Sequence, residues 1–321
     1  MRQASHSSPQ KVALFGECML ELQGQAFGSL HQGYGGDTFN TAVYLVRCGA
    51  RSGIRVHYAT ALGDDPLSTG LLQRWAAEGL DLTLVRRIPG RLPGLYLIDV
   101  DAGGERSFSY WRDSSAAKVY FEAGCEATAT PLEARQDEWD ALYLSGISLA
   151  ILPPAGRERL FALMQALRRR GAAVVFDNNY RPRLWPDQAE ARRCYARAFE
   201  LASLALVTAD DHQLLLGLAN VDDAVAAAQA LAALELVVKR GAAATLVREA
   251  GGAWQAAATE RVPQVVDTTA AGDAFAAGYL SRRLAGVAAL EAAHFGNRLA
   301  ARVIQHCGAV IDAALMSDLL R

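Results

Sequence analysis

A doubly wound α/β sheet flanked by helices, with a small β-sheet lid, is the fold class this 321-residue chain predicts. Three observations predict it. Short apolar runs alternate with helical patterns through most of the length, as strands and crossover helices of one sheet do. Most of those runs are continuously apolar, as expected of strands covered on both faces. Two stretches, 17–35 and 91–112, break the rhythm and carry no helical period.

Taken in order, "KVALFG" (11–16) reads as the first strand. After the first irregular stretch, residues 37–48 read as a helix, with Asp37 as N-cap and Gly49 just past the end. "RVHYAT" (55–60) is the next strand. The second irregular stretch reads as a hairpin, "LYLIDV" and "RSFSYW" around a turn at "DAGGE". Beyond it "ALYLSG" (141–146), "AAVVFD" (172–177), "LALVT" (204–208), "LELVVKR" (234–240) and "AATLVRE" (243–249) are strands. Residues 154–170 form a helix with Leu160, Met164 and Leu167 on one face, and 221–233 and 288–305 are Ala-rich helices. Segments 1–16, 36–90 and 114–321 then make a nucleotide- and substrate-binding core, while 17–35 and 91–113 make the lid. The lid would lie over the strand ends, where an open α/β sheet binds ligands.

Half the chain is hydrophobic (51%), enough for a large core, and the net charge is only −2 with both signs well mixed. That balance argues against a general nucleic-acid or anionic-membrane surface. The polar start "MRQASHSSPQ" and the short "VALFG" do not make a signal peptide, and no window is apolar enough for a transmembrane helix. Five scattered cysteines (Cys18, Cys48, Cys125, Cys194, Cys307) predict reduced thiols rather than a disulfide framework or zinc site. A cytoplasmic protein is expected.

Five stretches could carry chemistry. "DTTAAGDAF" (267–275) opens a helix with its smallest side chains between two acids, so a phosphate could approach the first-turn amides. Asp273 there is either a base for an attacking hydroxyl or simply an acid that favours the helix dipole. "GYGGDTFNTA" (33–42) is either a close-approach loop with Asn40 facing a ligand or a plain capped turn. "SYWRD" (109–113) pairs an arginine fork with tyrosine, or is aromatic packing of a small sheet. "FDNNYRPRLW" (176–185) follows a buried strand, which puts Asn179 and Arg181 at the ligand edge or in a polar loop. "VVKRGAAAT" (237–245) sets basic groups at a strand end, facing phosphates or solvent. No Walker loop and no G-x-G-x-x-G occur.

Together these motifs resemble the ribokinase (PfkB) family of carbohydrate kinases, over nearly the whole chain from "FGECMLEL" to "HCGAVI". "DTTAAGDAFAAGYL" is similar to the family's C-terminal signature and "GGDTFNTA" to its N-terminal one. "FSYWRDSSAA", "LYLSGISLAIL" and "DNNYRPRLW" point to a sugar-acid branch. The resemblance implies a ribokinase-like fold and ATP-dependent phosphorylation of a primary hydroxyl with Mg²⁺, in some relatives with K⁺. It implies Asp273 as catalytic base, with the amides of Ala270, Ala271 and Gly272 as an anion hole. Gly36, Asp37, Asn40, Tyr96, Tyr110, Arg112 and Arg181 would bind the sugar acid. Asn179, Lys239, Arg240, Gly241 and Asn297 would lie near ATP, and Asp267 and Thr269 beside a monovalent cation. Two departures stand out. The family's G-A-G-D reads A-A-G-D, a mild change if Ala270 still exposes its amide. The family's N-x-x-E element aligns near Ala209-Asp210-Asp211-His212, leaving Asp210 or Asp211 to supply a carboxylate.

Two arginines beside two tyrosines favour a carboxylate-bearing acceptor. Competing expectations are a kinase of a neutral ketose or nucleoside, and a sugar-acid sensor without turnover. The lid's sheet edges need cover, so a homodimer through the lid is expected.

Overall fold

The computed structural model describes residues 9–25, 27–100, 106–122 and 128–320. The expected "DAGGE" turn (101–105) and Cys125 lie outside them. Strand β1 (Gln10–Phe15) leads into β2 (Met19–Gly24) and β3 (Leu30–Gly35), then helix α1 (Asp37–Gly49) and β4 (Ile54–Ala59). The short β5 (Ala61–Leu62) and β6 (Arg86–Arg87) flank α2 (Pro66–Ala77). The hairpin of β7 (Leu95–Val100) and β8 (Arg106–Trp111) follows. Next come α3 (Pro131–Ala134), β9 (Ala141–Ser145), α4 (Gly146–Ala150), α5 (Pro154–Arg169) and β10 (Ala173–Asp177). The chain continues through α6 (Gln188–Leu201), β11 (Leu204–Thr208), α7 (Ala209–Leu216), α8 (Val221–Gln229) and β12 (Glu235–Arg240). It closes with β13 (Ala243–Arg248), β14 (Gln255–Ala257), α9 (Ala271–Leu284) and α10 (Ala289–Val303).

Among the described residues the large sheet has eight strands in the order β14-β13-β12-β11-β10-β9-β1-β4. From β4 to β12 neighbours are parallel; β13 and β14 add an antiparallel edge. The continuous apolar runs are explained by burial on both faces. Ala13, Phe15, Leu142, Leu144, Val174 and Phe176 join one core cluster, while Val12, Leu14, Tyr143 and Val175 join the other. Each of the Val, Leu and Phe side chains among them, buried fully, adds roughly 1.5–3 kcal/mol. The strand β13, at the antiparallel edge, alternates instead.

The two irregular stretches pair as expected into a separate four-stranded sheet, β3-β2-β7-β8. Among the described residues its own buried cluster is Met19, Tyr96 and Ile98. Where this lid leaves the core, the guanidinium of Arg112 pairs with the buried carboxylate of Glu17, Nε donating to Oε2 at 2.9 Å.

Several boundaries differ from expectation. Helix α1 takes Gly36, not Asp37, as its N-cap; Asp37 is the first helical residue. A side chain on residue 36 would meet the Glu17 carbonyl at 2.1 Å, so only glycine lets the lid strand cross so close to this helix end. At its other end α1 runs through Gly49 into a 3₁₀ turn, and the chain reverses at Gly53, φ 69°. The Ala-rich α8 ends at Gln229. Helices α9 and α10 pack so tightly that a Cβ on Gly296 would lie 2.9 Å from the Phe275 carbonyl, so only glycine lets the two helices approach this closely. No helix among the described residues is long and apolar enough to cross a membrane. Cys18, Cys48, Cys194 and Cys307 are free thiols.

Candidate active site

The C-terminal ends of β10, β11 and β12, the N-termini of α1 and α9, and the lid enclose a cavity of about 620 Å³. It brings together Gly36, Asp37, Asn40, Tyr96, Tyr110, Asn179, Arg181, Lys239, Thr269 and the run Ala270–Asp273. These are most of the residues the motifs singled out, and they lie where a parallel sheet presents its strand ends.

The floor is the start of α9. Ala270 sits in the left-handed region, φ 61°, and turns the chain so that the helix begins at Ala271. That conformation makes the A-A-G-D departure less mild than its exposed amide implies, because a Cβ there is strained. The amides of Ala270 and Gly272 have no partner among the described residues and are free for an anion. Ala271 differs from expectation: its amide donates to the Thr268 carbonyl at 3.2 Å, closing the turn. Lys239 borders the same cradle, since a Cβ on Gly272 would lie 3.6 Å from its Nζ. Its ammonium is buried and donates to both oxygens of Asp177, at 3.1 and 2.9 Å, and Asp177 also accepts from the Tyr143 hydroxyl at 3.3 Å.

Asp273 follows the cradle. Asn40 Nδ2 donates to its Oδ2 at 2.9 Å. Burial, and then the nearby Asp37 carboxylate, raise the Asp273 pKa well above the usual carboxylate range, while the Asn40 bond and the Lys239 charge oppose them. An acid so placed holds its proton unusually well and is suited to taking one from a hydroxyl.

The roof is aromatic. Tyr110 stacks on Tyr96 at 6.0 Å and on Phe108 at 6.4 Å. The Tyr96 hydroxyl donates to Glu21. At the side, the exposed Arg181 donates to both oxygens of Asp211 at 3.2 and 3.3 Å. Burial raises the Asp211 pKa, against the pull of Arg181 and then Lys239.

Five expected residues fall outside the cavity wall. Arg112 is committed to Glu17 at the lid boundary. Arg240 donates through Nε to the Ala244 carbonyl at 2.8 Å, and Gly241 is the exposed left-handed turn after β12, φ 58°. Asn297 is buried and ties Thr245 to the carbonyls of Ala257 and Ala258. Asp267 is a loop anchor: Oδ1 accepts from the Thr269 amide at 3.0 Å and Oδ2 from the Gly308 amide at 3.1 Å. Asn179, expected beside ATP, donates to Asp37 Oδ2 at 2.8 Å. Asp210 and Asp211, the two candidates for a carboxylate, both lie in the cavity wall; conversely Met19, Phe108, Ile147, Asp177, Thr208 and Ala309 line it without having been singled out for it. Of these only Asp177 left a trace, as a lone acid closing an apolar strand run.

The architecture and this site are those of a sugar kinase, and the chain belongs to the pfkB family of carbohydrate kinases, whose model matches residues 9–314. It is 44% identical over 309 residues to the 2-dehydro-3-deoxygluconokinase of Escherichia coli (strain K12), covering 96% of this chain and 99% of that protein. The enzyme of the same name from Haemophilus influenzae is 40% identical over 311 residues, covering 97% and 98%. Among solved structures, a PfkB protein from Polaromonas sp. JS666 superposes with a TM-score of 0.80 at 27% identity, covering 96% and 99%. The Thermotoga maritima 2-dehydro-3-deoxygluconokinase has the same fold, with a TM-score of 0.82 at 21% identity over 98% and 99%.

Proposed function

We propose that the chain is a 2-dehydro-3-deoxygluconokinase that transfers the γ-phosphoryl group of ATP to the 6-hydroxyl of 2-keto-3-deoxy-D-gluconate. Relatives bearing that name align at 40–44% identity over almost the full length. The observation that carries the reading is Asp273, an acid of raised proton affinity set directly against a cradle of free helix amides and the buried Lys239.

In the reaction the 6-hydroxyl oxygen forms a bond to the γ-phosphorus as the bond from that phosphorus to the ADP oxygen breaks. The hydroxyl proton passes to the Asp273 carboxylate, and the products are the 6-phosphate ester, ADP and a proton. The Ala270 and Gly272 amides and Lys239 stabilise charge on the transferring oxygens, where positioning and electrostatics do most of the work. Asn40 orients Asp273. Tyr96 and Tyr110 cover the acceptor and exclude water, and Arg181 meets its carboxylate. Among the described residues no group of three or more His, Cys, Asp or Glu could cage a metal. Mg²⁺ arriving on nucleotide phosphates needs one or two protein carboxylates; Asp210, facing the cavity, would hold it and Mg²⁺ would neutralise phosphate charge.

The test is ADP release by purified protein on 2-keto-3-deoxygluconate, against fructose. Efficient turnover of the sugar acid with at least tenfold weaker kcat/KM on fructose supports the reading; equal or reversed preference removes it. The rival neutral-sugar reading draws on one observation, that Arg112 is tied to Glu17 and leaves Arg181 as the acid-recognising arginine.

A further inference from the structure

Asn179 has a left-handed backbone, φ 24°, two residues past the end of the central strand β10. Such a conformation persists in a non-glycine residue only when its surroundings enforce it. The enforcer is Asn178, which is fully buried. Its Nδ2 donates to the Thr208 carbonyl at 3.0 Å, and its Oδ1 accepts from the amides of Thr208 and Asn179, both at 2.9 Å. The ends of β10 and β11 are thereby stapled together, and the next residue is turned across the cavity. There Asn179 Nδ2 reaches Asp37 Oδ2 at 2.8 Å. One turn along α1, Asn40 makes the equivalent bond to Asp273. Two amides thus hold two carboxylates that line one cavity.

We propose that Asn179 is a positioning residue: it fixes the Asp37 carboxylate beside Asp273, as the neighbour that makes Asp273 the proton-accepting member of the pair. The proposal rests on the reading of Asp273 as the base. An amide donor favours the charged form of the carboxylate it holds, and a fixed negative neighbour favours the protonated form of the other. The remaining groups facing Asp273 are Tyr44 on α1, Tyr143 on β9, Asp177 at the end of β10, Arg181 beyond it and Lys239 on β12. Asp177 acts in the same direction as Asp37, and the two cations act against it. Of the two carboxylates, Asp177 is already neutralised by Lys239, which leaves Asp37 the more effective.

The test compares kcat/KM on the acceptor against pH for the wild-type protein, Asn179→Gly and Asp37→Asn. Glycine keeps the left-handed backbone and removes only the amide. Turnover needs Asp273 ionised, so the rate falls as pH drops through its pKa. Losing the charged neighbour lowers that pKa. The acid limb of the normalised profile should therefore move down by about one pH unit in Asp37→Asn and by a smaller step in Asn179→Gly. A ¹³C NMR titration of the Asp273 carboxyl in the same full-length proteins, without substrate, should show the same order of midpoints. A uniform loss of rate in Asn179→Gly with an unmoved limb and midpoint overturns the proposal and leaves Asn179 a purely structural residue. Asp273→Asn separates the two readings: if it retains turnover the base assignment fails, and the NMR midpoints alone decide for Asn179.

Discussion

Below the cavity, Lys239, Asp177 and Asn178 are buried and hydrogen-bonded between strands, Lys239 to Asp177 and Asn178 to Thr208. Above it, Tyr110 and Phe108 remain 49% and 41% exposed, and among the described residues the lid's own buried cluster is Met19, Tyr96 and Ile98. The floor is held by the two large cores on either face of the sheet; the roof is held by β-pairing, ring stacking and the Glu17–Arg112 pair at its root. The contrast teaches where each task belongs. Groups that stabilise developing charge must be fixed before the reaction begins, because reorienting dipoles costs what they would contribute. Groups that admit and then cover a substrate need the opposite, few buried contacts and a local opening energy well below that of the whole fold.

The largest effect should come from the floor. Asp273→Asn should lower turnover roughly 10³- to 10⁴-fold while nucleotide binding, read by calorimetry, is kept. Near-normal turnover would move the base elsewhere. Lys239→Met should also cost activity, but it leaves Asp177 as an unpaired buried charge and should destabilise the fold by about 3–5 kcal/mol. The double variant Lys239→Met/Asp177→Asn sharpens the point. It should regain most of the lost stability in a denaturant melt and little of the lost turnover, separating the pair's structural part from its catalytic one.

The two arginines test whether the roof's root and the cavity's side divide as the structure has them. Arg112→Ala strands the buried Glu17 carboxylate and should cost about 3–5 kcal/mol of stability, with the preference for sugar acid over neutral sugar unchanged. Arg181→Ala breaks an exposed pair worth at most about 1 kcal/mol of stability. It should instead raise KM for the sugar acid about 10- to 100-fold, as loss of a charge-assisted bond does. If Arg112→Ala changes selectivity and Arg181→Ala does not, the assignment of the two arginines is reversed.

The same division decides what the sequence could show. The strands were legible because burial on two faces writes continuous apolar runs, and the lid hairpin because its alternation and glycine turn are local signals. The small residues at a helix start pointed to the turn at Ala270 and the two unbonded amides beside it, but not to the Ala271 amide being spent on Thr268. Partners were not legible. Arg112 and Glu17 are 95 residues apart, Asp177 and Lys239 62, and nothing in a local pattern ties either pair. Asp37 read as a cap because an acid before an apolar helical pattern is the usual signal; its true place is set by Asn179, 142 residues away, and by the Glu17 carbonyl that admits only glycine at residue 36.

Ala270 is the smallest and most local test of the floor. Its φ of 61° places a Cβ where L-residues pay a steric penalty, yet it is the residue whose turn starts α9 and frees the cradle amides. Glycine removes that strain but enlarges the conformational freedom of the unfolded chain, and the two effects partly cancel. Ala270→Gly should therefore raise stability by about 1 kcal/mol or less, a shift of roughly 2 °C in thermal melting for a chain of this size. Turnover should stay within about twofold if the amides already point into the cavity, since a preorganised cradle gains nothing from an easier turn. A melting temperature that falls in Ala270→Gly would mean that the strain is offset by packing of the alanine methyl. A turnover that falls tenfold with unchanged stability would mean that this methyl, by stiffening the turn, is itself part of what keeps the floor fixed.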